Sequence, residues 1–248
     1  MIVLKSPREI DKMRDAAKIV AEILQILGAE VKPGITTLAL DALAEREAKK
    51  RKARPAFKGY GGFPYSLCCS LNEQVVHGMP GDRELVEGDI ISLDFGVVLD
   101  GYYGDAAVTL PVASITAPAN KLINVTSESL CRAIDVALPG NHLSDISHAV
   151  QSFVESKGFS VVREFVGHGI GKKLHESPQI PNFGRPGRGV RLQPGMVLAI
   201  EPMINEKGHE VKVLQDGWTA VTCDGGLSAH FEHTVAITSH GPEILSKL

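Results

Sequence analysis

The chain has 248 residues, 44% of them hydrophobic and 22% charged, and its 26 basic against 29 acidic residues leave a formal charge of −3. That composition suits a globular protein with a sizeable core, and the near-neutral balance supplies no field for gathering nucleic acid or an anionic membrane. Gly, Pro or a charge interrupts every apolar run well short of the roughly 18 residues a spanning helix needs. Lys5, Arg8, Glu9 and Asp11 likewise break up the stretch where a signal peptide's apolar core would lie. The expectation is a cytoplasmic protein. With no CxxC spacing, its four cysteines (Cys68, Cys69, Cys131 and Cys223) read as reduced, buried thiols.

Ser6-Pro7-Arg8-Glu9 combines a cap, a first-turn proline and the acid of a capping box. Ile10, Met13, Ala17, Val20, Leu24 and Leu27 then recur at three- and four-residue spacing, which predicts an amphipathic helix over 7–28 that stops at Gly28. After Pro33-Gly34, Thr37, Leu40, Leu43, Ala44 and Glu47 predict a second helix ending in the basic run Lys49 to Arg54, a solvated helix end rather than a binding patch. Strand patterns follow at 65–71, 74–79, 89–99 and 102–112, with Asp100-Gly101 as a hairpin turn between the last two. The second half repeats the order. Helices are predicted at about 118–138 and 143–157, then strands near 161–166, 196–204, 209–213, 218–223 and 229–238.

The two halves can be laid over one another. Pro33-Gly34 maps to Pro139-Gly140 at an offset of 106, and Gly88 and Asp94 map to Gly195 and Glu201 at 107. In each half a glycine turn feeds an apolar strand that ends in a carboxylate six residues later. This predicts an α+β chain built as one domain, 1–248, from a duplicated half (roughly 1–112 and 113–248). A pseudo-two-fold axis between the halves would bring Asp94 and Glu201 toward a common centre.

A buried carboxylate must be neutralised, and several occur here. A two-residue hairpin loop at Asp100-Gly101 sets Asp94 opposite Ala107 and Asp105 opposite Gly96, placing both acids on one sheet face with space beside Asp105. Glu201 ends its strand, Glu232 sits in the apolar run Phe231 to Ile237, and His168 lies between glycines after the predicted strand Val161 to Val166. Four acids and one imidazole form a hard, oxygen-rich donor set suited to two divalent cations with shared carboxylates. Such a pair can lower the pKa of a water and polarise a carbonyl, the requirements of amide hydrolysis.

These residues resemble a known family. Asp94 and Asp105 with ten residues between them, Gly-His168-Gly-Ile-Gly, Glu201-Pro-Met and Phe-Glu232-His-Thr are similar, in order and over essentially the whole chain, to the five metal ligands of the type I methionine aminopeptidases, in metallopeptidase family M24. The resemblance implies the pita-bread fold, a curved antiparallel sheet covered by helices. It implies one metal on Asp94 and Asp105 and the other on His168 and Glu201, with Asp105 and Glu232 bridging. The ions would be Mn, Fe(II), Co or Zn. It further implies Glu201 as the group handling the water's proton, His77 near the substrate amine and scissile nitrogen, and His175 stabilising the tetrahedral intermediate. Tyr60, Phe63, Cys68 and Trp218 would line the methionine pocket, where aromatic and sulfur contacts suit a thioether.

The short span from His168 to Glu201 leaves no room for the type II helical insertion, and the extra N-terminal domain of proline-directed relatives is not expected. The chain departs from the family at Leu174, where an aromatic is frequent, at His230, where glutamine is common, and at Ala106-Ala107, where Thr-Ser is usual. The implied activity is removal of the initiator methionine when the second residue is small. Its partners would be nascent polypeptide N-termini, with the ribosome as a further candidate, and no nucleic acid, no membrane and a monomeric state are expected. A proline-directed peptidase and a non-catalytic binding module are the competing readings. The glycine-rich segment Gly167 to Lys173 fits neither phosphate-loop pattern in register.

Overall fold

A computed structural model describes residues 2–247. The first half contains α1 (Pro7–Glu30), α2 (Thr37–Lys50), β1 (Arg54–Pro55), a 3-10 turn at Tyr60–Gly62, β2 (Cys68–Leu71), β3 (Gln74–Val76), β4 (Ile90–Leu99) and β5 (Tyr102–Pro111). Then come α3 (Ala117–Asp135), α4 (Leu143–Ser156), β6 (Ser160–Val161), β7 (Gly167–Gly169), β8 (Glu176–Ile180), β9 (Val197–Ile200) and β10 (Met203–Asn205). The chain closes with β11 (Val211–Val213), β12 (Ala220–Thr222), β13 (Ser228–His230), β14 (Glu232–Thr238) and β15 (Gly241–Ile244).

Nine strands form one sheet in the order β1-β4-β5-β14-β9-β7-β8, with β2 on β4 and β15 on β14. Two three-stranded sheets, β13-β10-β6 and β11-β12-β3, flank it. Every described pairing is antiparallel.

Period-two alternation decides which face of the main sheet is core. Leu93, Phe95 and Val97 of β4 pack with Val20, Ile23, Leu27, Leu40 and Ala44 of α1 and α2. On the other side of the seam, Leu198, Ile200, Val235 and Ile237 pack with Leu122, Ile134, Ile146 and Val150 of α3 and α4. The intervening residues, Asp94 and Gly96 on β4 and Glu232 and Thr234 on β14, project to the opposite face. The same period carries Glu201, just past β9, to that face. At Gly104 α1 crosses β5 so closely that a Cβ there would lie 2.5 Å from the Ala17 nitrogen.

The α1 cap is as predicted: Glu9 Oε2 accepts from the Ser6 N–H at 2.9 Å. The helix nevertheless runs two residues past Gly28, while α3 stops three short of the predicted 138. Asp100 and Gly101 both take positive φ, 48° and 81°, and the hairpin they close has the predicted register of Asp94 with Ala107 and Gly96 with Asp105.

Two long predicted strands are broken, 196–204 at Glu201-Pro202 and 229–238 at Phe231. Pro202 has no N–H for a ladder, and the chain leaves the main sheet for the small β13-β10-β6 sheet there and returns to the main sheet at Phe231. The predicted strand 161–166 survives only as Ser160–Val161, in that small sheet, so His168 does not follow a core strand. It sits within β7, a strand of the main sheet that periodicity did not mark, because Gly-His-Gly has no apolar alternation. All four cysteines are free, as expected, but only Cys68 and Cys69 are buried; Cys131 and Cys223 are exposed.

Candidate metal centre and methionine pocket

The strand registers assemble the acids. Asp94 is paired with Cys68 on one side and Ala107 on the other, and Ala107 is paired in turn with Glu232. A small residue thus separates the two carboxylates across the row. Asp105 stands opposite Gly96, where an added Cβ would come within 3.1 Å of Asp105 Oδ1 and 3.0 Å of the Phe57 ring. His168 pairs with Ala199, two residues before Glu201, and its Nε2 lies 3.5 Å from Glu201 Oε1.

One cavity of about 160 Å³ is lined by Asp94, Asp105, His168, Glu201 and Glu232, by His77 and His175, and by Tyr60, Phe63, Cys68 and Trp218. Every residue expected from sequence to hold metal, act in catalysis or line the pocket therefore faces the same space. Phe57 and Leu174 line it too. Phe57 was missed, although the glycine- and aromatic-rich run from Phe57 to Phe63 is a signal for a pocket wall. Leu174 occupies the position where an aromatic is frequent and is buried there.

The carboxylates are held in a state that calls for positive charge. Burial pushes Asp94 up to about 7 and Glu201 up to about 8, with the Glu201 charge adding to the effect on Asp94. Asp105 and Glu232 are driven well above the carboxylate range by burial and by their acidic neighbours. Asp94 Oδ1, Asp105 Oδ1 and Glu232 Oε1 are buried with no hydrogen-bond partner. Natural interiors pair such atoms or give them a cation. Ligand atoms of Asp105, His168 and Glu232 lie within 4.8 Å of one another, close enough to share one ion. The donor set therefore fits divalent cations.

The imidazoles are prepared in different ways. His168 Nδ1 donates to the Gly169 carbonyl at 2.9 Å, which leaves the Nε2 lone pair directed at the cluster. Burial lowers the His168 pKa to about 4, so that lone pair is free at neutral pH. His175 Nδ1 bonds the Tyr60 hydroxyl at 2.7 Å, and its ring centroid lies 4.3 Å from that of His168. Burial raises the Tyr60 pKa, so its hydroxyl stays protonated and can donate. His77 adopts a left-handed backbone, φ 59°, unusual for a non-glycine residue and characteristic of functional loops. Its ring packs edge-on to Phe165 and Trp218, and burial lowers its pKa to about 4. Phe63 meets Trp218 edge to face with centroids 5.2 Å apart, forming an aromatic corner beside the acids.

The model of metallopeptidase family M24 matches residues 11–239. The chain belongs to this family, in its methionine aminopeptidase branch. It is 57% identical to the methionine aminopeptidase of Clostridium perfringens over 99% of both chains, and 55% identical to methionine aminopeptidase 1 of Bacillus subtilis over the full length of both. Among solved structures, the methionine aminopeptidase of Thermotoga maritima superposes with a TM-score of 0.99 at 51% identity, each chain covered completely. The pita-bread fold expected from the motifs is thus the fold observed, and divalent-metal use follows from the family. No helix of the described residues is long and apolar enough to cross a membrane.

Proposed function

We propose that the chain is a monomeric cytoplasmic enzyme that removes the initiator methionine from newly made polypeptides with a small second residue, by hydrolysing the first peptide bond. The observation that carries this reading is the continuity of one cavity. Its aromatic and thiol wall of Tyr60, Phe63, Cys68 and Trp218 suits a thioether side chain, and it ends on the carboxylate cluster where the adjoining carbonyl would lie.

Asp94 and Asp105 would hold one divalent ion and His168 and Glu201 another, with Asp105 and Glu232 shared between them. The ions would be Mn, Fe(II), Co or Zn, since this donor set takes any of these. When bound, they supply polarisation of the scissile carbonyl and a lowered pKa for a nucleophilic water. The chain's own groups do the rest. Glu201 accepts the water's proton and returns it to the departing nitrogen. His77 is neutral near pH 7 and can accept from the substrate amine or the scissile N–H. His175, with Nδ1 occupied by Tyr60, carries its proton on Nε2 and donates to the oxygen that gains charge at the tetrahedral carbon.

Three of the five cations in the basic run Lys49 to Arg54 are spent on local ion pairs, leaving Lys52 and Arg54 outside any ion pair among the described residues. Lys49 pairs with Glu45, Lys50 with Glu47, and Arg51 with Glu22 and Glu47. The deciding experiment measures free methionine released from Met-Ala-Ser, Met-Leu-Ser and Xaa-Pro peptides by metal-stripped protein, with and without Mn or Co. Metal-dependent cleavage of Met-Ala-Ser alone is expected. Cleavage of only the Xaa-Pro peptide would reassign the pocket, and no cleavage with any metal would leave a binding module.

A further inference from the structure

His230 ends β13 two residues before Glu232 and is 1% exposed, yet neither of its ring nitrogens has a hydrogen-bond partner. Its main chain is fixed on both sides by one side chain. The His230 N–H donates to Thr109 Oγ1 at 2.8 Å, and the Thr109 hydroxyl donates to the His230 carbonyl at 2.8 Å. Thr109 is itself 2.8 Å from Ser92 Oγ on the neighbouring strand. These bonds fix where the side chain leaves the strand, the ring is enclosed by the surrounding protein, and its Nε2 stands 3.5 Å from Glu201 Oε2.

The two oxygens of Glu201 therefore face different nitrogens. Oε1 looks toward His168 Nε2, which bears a lone pair because Nδ1 is spent on the Gly169 carbonyl. When Glu201 is ionised the two face each other as acceptors, an arrangement that a shared cation relieves. Oε2 looks toward His230 Nε2, a buried ring nitrogen left without a hydrogen-bond partner.

We infer that His230 is a positioning residue that donates its Nε2–H to Glu201 Oε2, fixing that carboxylate so that Oε1 is presented to the metal beside His168. The inference rests on the metal-ligand role proposed for Glu201. A glutamine, common at this position in the family the chain resembles, also carries a donor nitrogen, so the departure replaces the donor with a stiffer one. Partners that hold metal ligands in this way are typically worth 10- to 100-fold in metal affinity.

The test is calorimetric titration of the metal-stripped full chain with Mn²⁺. The expectation is binding about 10- to 100-fold weaker in His230→Ala and within about threefold of the parent in His230→Gln. Parent-like affinity in His230→Ala, or equal losses in both variants, would overturn donation as the basis. A second reading does not depend on the folding of His230→Ala. In a long-range proton–nitrogen spectrum of the Zn²⁺-loaded parent, with the resonance assigned by its loss in His230→Gln, the His230 proton is expected on Nε2, and a proton on Nδ1 would refute the inference. Failure of the parent to release methionine would defeat the proposed function while leaving both readouts intact.

Discussion

Thr234 closes the seam where the two halves of the main sheet meet, and removing its hydroxyl has a consequence that can be worked out. The β5·β14 ladder contains only two residue pairs, Glu232 with Ala107 and His233 with Ala106. One step further on, the Thr234 side chain takes over from the backbone: Oγ1 donates to the Asp105 carbonyl at 2.7 Å and accepts from the Asp105 N–H at 3.1 Å. Thr234 is fully buried, so water cannot replace either bond. Thr234→Val keeps the shape and leaves two main-chain groups unpartnered, each costing about 1–3 kcal/mol, so the loss should be about 3 kcal/mol. Urea unfolding of the metal-free protein measures it as a lower midpoint at an unchanged slope. A loss below about 1 kcal/mol would show that the seam does not depend on this side chain.

Tyr60→Phe retains the ring and removes one neutral hydrogen bond to His175 at a half-exposed position. The expected cost of about 1 kcal/mol is roughly a fivefold fall in kcat with little change in KM, read from Met-Ala-Ser turnover. Chelation should lower the unfolding midpoint, and divalent metal restored at about 100 times its Kd should return about 2.7 kcal/mol. His77 gives a pH prediction. The unfolded chain takes a proton on this ring near pH 6.5, whereas the folded protein refuses it until about pH 4. Stability is therefore complete above 6.5 and is lost as pH falls from 6.5 through 4. Unfolding titrations at pH 7 and pH 5 should show a smaller difference in His77→Asn than in the parent.

What was legible in the sequence had a local cause. A two-residue Asp-Gly turn fixes the β4–β5 register, so the pairing of Asp94 with Ala107 and of Asp105 with Gly96 could be counted from the turn outward. Helix starts were readable because Ser6 and Pro7 act within one turn of themselves. The less legible parts depend on distant chain. β7 is a strand only because β9 and β8 flank it, and Gly167-His168-Gly169 has no pattern of its own. Pro202 marks one sheet change locally, but nothing comparable marks Phe231 as the other. The Tyr60–His175 bond joins residues 115 apart and appears only once the fold has closed. His230 stood out in sequence solely as a departure, and its backbone is anchored by Thr109, 121 residues away.

The seam also explains why so many acids can share one place. Asp94 and Asp105 come from strands of the first half, Glu201 and Glu232 from strands of the second, and within the main sheet β5·β14 is the ladder that joins them. Within either half, two buried acids would simply take up protons. Joined, four of them surround a single space, where burial first and mutual repulsion second make their ionised forms costly without a cation. The short ladder, the Thr234 clasp and the small residues Gly96 and Ala107 keep that space open at a fixed width. Metal binding and seam closure are therefore linked. Weakening the clasp should lower metal affinity as well as stability, and Thr234→Val tests this in the same calorimetric titration: an undiminished Mn²⁺ affinity would separate the two.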